Sequence, residues 1–426
     1  MILTKSASLV HQAEQTRTTR LTESLSHSIL GKSIGFDSAM TDLLLTYSPW
    51  AGALKEANDH ITVRPEEIEA AADAYEEAAQ HLVANLKWPD HTINILVQGS
   101  ASTQTLIRSP NGNEKFDIDA VCQVDISRVT ARDPVGFFQS VGDALRELEA
   151  EAKKRCWTIP CSKQKFYIEF TPSVPLDNVP PNTLDAMAPK YRVAEQYRAT
   201  ALAVVDTPSE MWKTSNPAGM TKWVDDTARR QLIRQVVLDS VILAKSAAHV
   251  DQVPDQKVEI TDTLRIAIRL FKRHRDMCVR RNILTNEFAP ISIIIVTLLT
   301  RCYEGLADLG RTYVHPVELL ADLTSLMPHL VLKLDGQYRV DNPTVEGENF
   351  AEKWNTDGGA RYRSFSAWCR VLNTDLKAIL EETEKQAITN RVREVFGIPA
   401  PTSGGSGLSS KVVAAPPATP AGRGLA

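Results

Sequence analysis

The sequence predicts an α+β protein with two lobes, and three features of its 426 residues indicate this class. Strand-like alternation and helical periodicity follow each other over about the first 225 residues, whereas helical periodicity dominates residues 226–396. Beyond Phe396 there is no acidic or aromatic residue, and Pro, Gly, Ser and Ala predominate, so this segment buries too little surface to order itself. We therefore expect an α/β lobe over residues 1–225, a mainly helical lobe over 226–396, a flexible tail over 397–426 and a ligand cleft between the lobes.

Composition narrows the class of protein. With 43% hydrophobic residues the chain can bury a large core. The longest apolar run, Ile291 to Leu299, is interrupted by Ser292 and Thr297 and is too short to cross a bilayer, so we expect a buried helix there and no membrane partner. The N-terminus lacks the apolar block of a signal peptide, which favours a cytoplasmic location. The net charge of −4 and the short basic clusters do not favour duplex DNA as a constitutive partner.

The six cysteines do not form a disulfide framework in a chain of this length. Most of them lie in apolar stretches and are expected to be small core residues. Cys156 and Cys161 are the one close pair, but no second Cys or His pair at zinc-ligand spacing is near them in the sequence, so zinc is not favoured.

A helix is predicted from Arg64 to Trp88. Pro65 followed by two glutamates suits a first helical turn, and Pro89 ends the pattern. Apolar residues recur at helical spacing at Ile68, Ala71, Ala72, Tyr75, Ala79, Leu82, Val83 and Leu86. We expect this helix to pack along the sheet that follows it.

A strand and a small-residue turn come next. Ile93, Ile95 and Val97 alternate as in a half-buried strand, and Gly99-Ser100 then breaks the run. Such a break marks a strand end or a place where the backbone approaches a ligand closely. A Gly-Ser pair is usually only a turn, but in this position it could also hold a phosphate.

Two acids follow on the next predicted strand. Asp117 and Asp119 bracket Ile118, so both carboxylates project from one face while Ile118 enters the core. The two like charges repel each other, and Mg²⁺ would remove that conflict because it binds carboxylate oxygens together with substrate phosphates. The alternative is a solvated strand edge.

The turn and the acids together resemble the nucleotidyltransferase signature, in which a Gly-Ser turn binds a triphosphate and the following strand supplies two metal-binding aspartates. Such enzymes have a third acid on a neighbouring strand, completing a site for in-line displacement. In the segment Lys165–Pro175, Phe166, Ile168 and Phe170 fall on one face, and Glu169 lies on the other. Glu169 is the candidate, and a solvent-facing Glu on an amphipathic strand is the alternative.

Other segments extend this likeness. The chain resembles the cGAS/DncV-like nucleotidyltransferases, the synthases of bacterial CBASS anti-phage systems, from about residue 90 to 355. The further segments are WKTSNPAGMTKWVDD (Trp212 to Asp226), LFKRHRD (Leu270 to Asp276), SIIIVTLLT (Ser292 to Thr300) and NPTVEGENFAEKW (Asn342 to Trp354). There is one departure, because the third carboxylate of the family is commonly Asp and the matching residue here is Glu169.

The resemblance implies a polymerase beta-like core with a mixed sheet and an enzyme that makes a cyclic di- or trinucleotide second messenger from ATP and other ribonucleoside triphosphates. Asp117, Asp119 and Glu169 would be the catalytic residues and the ligands of Mg²⁺, or alternatively of Mn²⁺. Gly99 and Ser100, together with Thr105, would bind the donor triphosphate.

A basic helix is predicted from Asp262 to Arg281. Leu264, Ile268 and Phe271 form its apolar stripe, and its other faces carry four cations. These are Arg265, Arg269, Lys272 and Arg273. An ordinary solvated helix face is one interpretation, because cations at this spacing repel one another unless anions face them. The resemblance makes Lys272 a candidate for binding the triphosphate, and Ser292, at the N-terminus of the next helix, a second candidate.

Further elements complete the expected organisation: a helix over Pro134–Lys154, a strand near Ala201–Val205, a helix over Thr227–Val250, a hairpin over Leu332–Val340 and a helix over Arg363–Phe396. The resemblance also implies a role for the tail, because in some anti-phage operons an E1/E2-like enzyme joins the C-terminal residue of the synthase, here Ala426, to a target. The alternative is a disordered end without a role.

Two other functions stay open at this point. One keeps the fold and changes the product to a linear oligonucleotide or to a nucleotidyl group attached to RNA or protein. The other is a nucleotide-binding sensor without catalysis, which the unusual Glu169 favours.

Overall fold

The computed structural model describes residues 3–17, 36–110, 114–187, 195–233, 253–256, 258, 262–313, 315–345 and 347–400. Most of the predicted helix over Thr227–Val250 and of the predicted tail, including Ala426, therefore lies outside the described residues.

The first half of the chain alternates helices with strands. Its helices are α1 (Lys5–Thr16), α2 (Phe36–Ile61), α3 (Pro65–Asn85), α4 (Gly99–Ser102), α5 (Pro134–Ala144), α6 (Pro181–Met187), α7 (Glu195–Arg198) and α8 (Pro217–Ala228). Its strands are β1 (Ile93–Val97), β2 (Phe116–Val124), β3 (Glu151–Ala152), β4 (Trp157–Ile159), β5 (Phe166–Pro175), β6 (Leu202–Asp206) and β7 (Met211–Ser215). The predicted helix before β1 is confirmed as α3, and the predicted strand near Ala201 is confirmed as β6.

Within the described residues the seven strands form one mixed sheet. Its order is β1-β2-β5-β4-β3, and β6 joins β5 to β7. β2 and β5 run parallel along almost their whole length, whereas the other pairs are antiparallel. The central pair, β2 with β5, carries the predicted acids.

The second half is mainly helical, as expected. Its helices are α9 (Thr263–Arg280), α10 (Ser292–Asp308), α11 (Pro316–Leu326), α12 (Ala360–Glu381) and α13 (Lys385–Phe396), and its strands are β8 (Leu332–Leu334) and β9 (Gln337–Arg339). The hairpin prediction is confirmed: Asp335 and Gly336 have φ values of 50° and 79°, as a tight two-residue turn requires.

Two predicted helices differ from the structure. The helix expected over Pro134–Lys154 ends at Ala144, because Glu149 adopts a left-handed φ of 54° and the chain then turns into β3 and β4. The second expected helix, Arg363–Phe396, is two helices, because Glu382 is extended and α13 folds back against α2 and α9. Helical periodicity continues through both breaks, so the sequence pattern alone does not show them.

Two buried clusters form the core. One lies between the sheet, α3 and α5, where the Tyr75 and Phe170 rings stack with centroids 6.3 Å apart. The other joins the helices of the second half and also includes residues of α1, α2 and α8. For example, Trp50 of α2 donates a hydrogen bond to the Ile379 carbonyl at 2.8 Å. The N-terminal helices thus pack with the helical cluster, although the predicted boundary assigned them to the first lobe.

No helix in the described ranges has both the length and the apolar character needed to cross a membrane.

Candidate active site

The turn after β1 lies directly against an acid of β2. The Gln98 amide donates to the Asp119 carbonyl at 2.8 Å, and Gly99 then adopts a left-handed φ of 67°. A Cβ atom on Gly99 would lie 2.1 Å from Asp119 Oδ2. Glycine is therefore required here both by the backbone conformation and by the close approach of the carboxylate.

The structure brings the three predicted acids to one face of the sheet. Asp119 pairs with Glu169 in the parallel register of β2 and β5, and Asp117 lies on the same face because it is two residues away on the strand. Ile118 and Ile168, which directly precede Asp119 and Glu169, are buried in the core on the other side of the sheet. Asp119 and Glu169 are 7% and 5% exposed, and Asp117 is half-buried.

Burial and mutual repulsion disfavour the charged forms of the carboxylates on this face. Burial raises the pKa of the Asp119 carboxyl well above its usual range, and the charges of Asp117 and Glu169 raise it further, while Lys272 lowers it. Burial also raises the pKa of Glu169, and Asp117 adds to this effect. A bound cation would relieve this repulsion.

The fit to Mg²⁺ rests on the chemistry of the donors. Carboxylates are the ligands that Mg²⁺ prefers, and this ion is usually held by one or two of them together with waters and substrate phosphates. Within the described residues no three His, Cys, Asp or Glu side chains are grouped closely enough to hold a metal ion by themselves. The arrangement therefore fits an ion held by Asp117 and Asp119 together with a nucleotide, and not a cage of protein ligands alone.

Lys272 of α9 reaches the turn from the helical half of the chain. Its Nζ donates to the Ser100 hydroxyl at 2.8 Å and to the Thr105 carbonyl at 2.9 Å. The side chain is 4% exposed, and burial lowers its pKa to about 8. The structure thus brings together the two predicted phosphate-binding residues, Ser100 and Lys272, beside Asp119.

Thr105 lies behind the turn and not on its open side. Its side chain is fully buried, and its hydroxyl is hydrogen-bonded to the Thr103 hydroxyl at 2.9 Å. Thr105 therefore supports the loop from inside, and this geometry does not favour the direct contact with nucleotide that the sequence suggested.

Ser292 begins α10, as predicted, and its side-chain oxygen accepts a hydrogen bond from Arg275 Nη1 at 3.1 Å. Arg275 is also paired with Asp276 at 2.8 Å. Arg275 belongs to the same helix as Lys272, one turn further along, so its hydrogen bond links Ser292 to α9. Its role in nucleotide binding stays a prediction.

The solvated-face interpretation of α9 is wrong, because its cations are buried against the loop that follows the turn. Arg265 Nε donates to the Thr103 carbonyl at 2.9 Å, and Arg269 donates to the Gln104 carbonyl at 2.8 and 3.0 Å. Arg273 continues the row by donating to the Arg108 carbonyl at 3.1 Å. These arginines hold the shape of the loop that carries Ser100.

Sequence reasoning missed a second support of the loop. Gln256 is 1% exposed; its Nε2 donates to the Ala101 carbonyl at 3.0 Å, and its Oε1 accepts from the Leu106 amide at 3.3 Å. A single Gln in a polar stretch carries no sequence signal for such a role. On the other side of the loop, the Ser102 and Thr221 hydroxyls are 2.8 Å apart.

Comparisons with known proteins agree with this fold. No protein-family model matches the chain. A protein of Roseivirga ehrenbergii named c-di-GMP synthase is 26% identical over 289 residues, which span 66% of this chain and 66% of that protein, just under two thirds of each. Among solved structures, the CD-NTase CdnG of Bradyrhizobium diazoefficiens in complex with GTP is 17% identical with a TM-score of 0.55, and the match covers 82% of this chain and 98% of that one.

A second solved structure, CdnC of E. coli MS115-1 with ATP, is 14% identical with a TM-score of 0.51, and the match covers 83% of this chain and 98% of that one. The resemblance to the cGAS/DncV-like nucleotidyltransferases is confirmed, and so is the predicted α+β nucleotidyltransferase fold with its mixed sheet.

Proposed function

From the CD-NTase fold of this chain, we propose that it is a metal-dependent nucleotidyltransferase that joins ribonucleoside triphosphates into a cyclic di- or trinucleotide second messenger in anti-phage defence. One observation carries the proposal: the Gly99–Ser100 turn, which holds Lys272 through the Ser100 hydroxyl, lies directly on the carboxylate of Asp119. A phosphate-binding turn beside paired acids is the arrangement that nucleotidyl transfer requires.

The substrates we propose follow from the relatives. The curated relative is named a c-di-GMP synthase, and the two solved structures hold GTP and ATP. We therefore propose GTP and ATP as the first substrates to examine, and c-di-GMP as the first product.

The residues of this chain would divide the work as follows. Ser100 and Lys272 would bind the donor triphosphate, and Asp117 and Asp119 would hold Mg²⁺ or, alternatively, Mn²⁺. When bound, the ion would neutralise charge on the phosphates. A ribose hydroxyl oxygen of the acceptor would form a bond to the α-phosphorus of the donor while the bond from that phosphorus to the pyrophosphate breaks, and Glu169 would orient the hydroxyl or accept its proton.

A nucleotide-binding sensor without turnover is the second candidate. It is motivated by Glu169, whose side chain is longer than the Asp that the resembling enzymes commonly have as their third acid. Tight binding of ATP or GTP without any product, in either Mg²⁺ or Mn²⁺, would support it over synthesis.

The experiment is incubation of the purified chain with all four ribonucleotides and Mg²⁺, followed by phosphatase treatment and mass spectrometry. A cyclic product has no terminal phosphate and keeps its mass after phosphatase treatment. A product that loses terminal phosphates would be linear and would contradict cyclisation. Absence of any product would contradict the synthase proposal.

A further inference from the structure

Strand β4 and the residue just before it, Cys156, present two hydrogen-bond donors to Glu169. Thr158 lies directly opposite Glu169 in the antiparallel register of β4 and β5, and Cys156 is two residues away and so shares its face. Thr158 Oγ1 donates to Glu169 Oε1 at 3.0 Å, and Cys156 Sγ donates to Glu169 Oε2 at 3.4 Å. Each oxygen of the Glu169 carboxylate therefore accepts one hydrogen bond.

These contacts matter because Glu169 stands where the resembling enzymes commonly have Asp. Glutamate has one more rotatable bond than aspartate, so its carboxylate can occupy more positions. Asp117 also repels this carboxylate, as its effect on the pKa of Glu169 shows. Without fixed partners, a longer and repelled side chain would not keep one orientation.

Cys156 and Thr158 determine the orientation of the Glu169 carboxylate, because they donate hydrogen bonds to both of its oxygens. Cys156 is 6% exposed and Glu169 is 5% exposed, so water competes little for the bond between them, whereas Thr158 is half-buried. β4 is itself anchored, because the Trp157 indole donates to the Phe138 carbonyl at 3.1 Å and packs against Gly142 of α5. Thr158 and the preceding Cys156 thus flank a residue that anchors this segment to α5.

We propose that Cys156 and Thr158 are positioning residues, which hold the Glu169 carboxylate in one orientation and thereby allow a glutamate to act at this position. A carboxylate oxygen has two lone pairs, so each oxygen keeps one for the substrate hydroxyl or the metal. The kinetic consequence rests on the proposed function, whereas the contact itself does not.

The contact is tested first without reference to activity. The S–H stretch of Cys156, identified in the infrared spectrum by its loss in Cys156→Ala, should lie at the low frequency of a thiol that donates to a carboxylate. In Glu169→Gln it should move to higher frequency, because a neutral amide oxygen is a weaker acceptor. An unchanged band would overturn the proposal.

The positioning role is tested by kinetics. Thr158→Val and Cys156→Ala should each lower kcat on the order of tenfold, because each loses a hydrogen bond to a charged group, with little change in KM. Thr158→Ser and Cys156→Ser keep a donor and should recover most of the activity. Cys122→Ala is the matched control, because Cys122 is also a buried cysteine of the same sheet. The kcat of this variant should equal that of the parent chain.

A second comparison separates positioning from general damage. In a Glu169→Ala background, Thr158→Val should have no further effect on residual kcat. If Thr158→Val lowers kcat equally in the parent and in the Glu169→Ala protein, the proposal is overturned. An increase in KM with unchanged kcat would overturn it as well. If the parent chain makes no product at all, the proposed function fails, and the infrared comparison still decides whether Glu169 is held by Cys156.

Discussion

The Lys272 ammonium lies 2.8 Å from the Ser100 hydroxyl, although 172 positions separate the two residues in the sequence. This contact joins the central helix of the helical cluster to the turn at the edge of the acidic face. The proposed phosphate-binding part of the site therefore draws on both halves of the chain, and we expect substitutions in α9 to affect nucleotide binding as directly as substitutions in the turn.

Lys272→Met should weaken binding of GTP or ATP roughly 10- to 100-fold, because a hydrogen-bonded charge facing phosphates contributes about 1.5–3 kcal/mol. Isothermal titration calorimetry measures this directly. Lys377→Met is the control, since Lys377 is exposed on α12, and its affinity should match that of the parent chain. Equal affinities in all three proteins would exclude a phosphate-binding role for Lys272.

Nucleotide affinity should fall as the pH rises through about 8. Burial lowers the pKa of Lys272 to about 8, so the side chain is charged below that pH and neutral above it, and only the charged form attracts phosphates. Affinity measured from pH 7 to 9.5 should decline in the parent chain and change much less in Lys272→Met. The same decline in both proteins would assign the effect to another group.

Arg269→Met should lower the free energy of unfolding by about 3 kcal/mol, because it leaves the carbonyls of the buried Gln256 and the half-buried Gln104 without their donor, at about 1–3 kcal/mol for each. Arg269→Lys should recover little, since an ammonium cannot reproduce the planar set of donors. Urea unfolding gives the measurement.

The control for this substitution is Arg370→Met, because Arg370 is exposed on α12. Its unfolding free energy should lie within about 0.5 kcal/mol of the parent value. A cost for Arg269→Met no larger than that of the control would show that the loop is held without Arg269.

Gly99→Ala should abolish turnover, because the added Cβ would collide with Asp119 Oδ2 and the backbone has a φ of 67°. Gly52→Ala is the matched control: Gly52 lies within α2 with no atom within 4 Å of an added Cβ, so activity should be kept and stability should rise by about 0.5–1 kcal/mol. An active Gly99→Ala protein would contradict the close approach of the turn to the acid.

The part of the site that could be predicted from sequence is the part that local patterns determine. Alternation along a strand predicts Asp117 and Asp119 on one face, and an amphipathic strand marks Glu169; the structure has these three acids on one face of the sheet. The environment of α9 could not be predicted. Arg269 has the spacing of a solvated helix face, and only tertiary packing shows that backbone carbonyls lie opposite it.

Some fold elements were missed for a similar reason. The periodic pattern from Pro134 to Lys154 continues past the point where the helix ends, and the chain instead enters β3 and β4, which pair with each other and with β5. Gln256 supports the turn through contacts with residues about 150 positions away, which no local pattern encodes.

The most direct measurement of the central claim is product formation by the double variant Asp117→Ala with Asp119→Ala, using radiolabelled ribonucleotides and Mg²⁺. The control is Asp73→Ala, which removes an exposed acid of α3. We predict a cyclic product from the parent chain and the control, and none from the double variant. Undiminished synthesis by the double variant would contradict the assignment of these acids to the reaction.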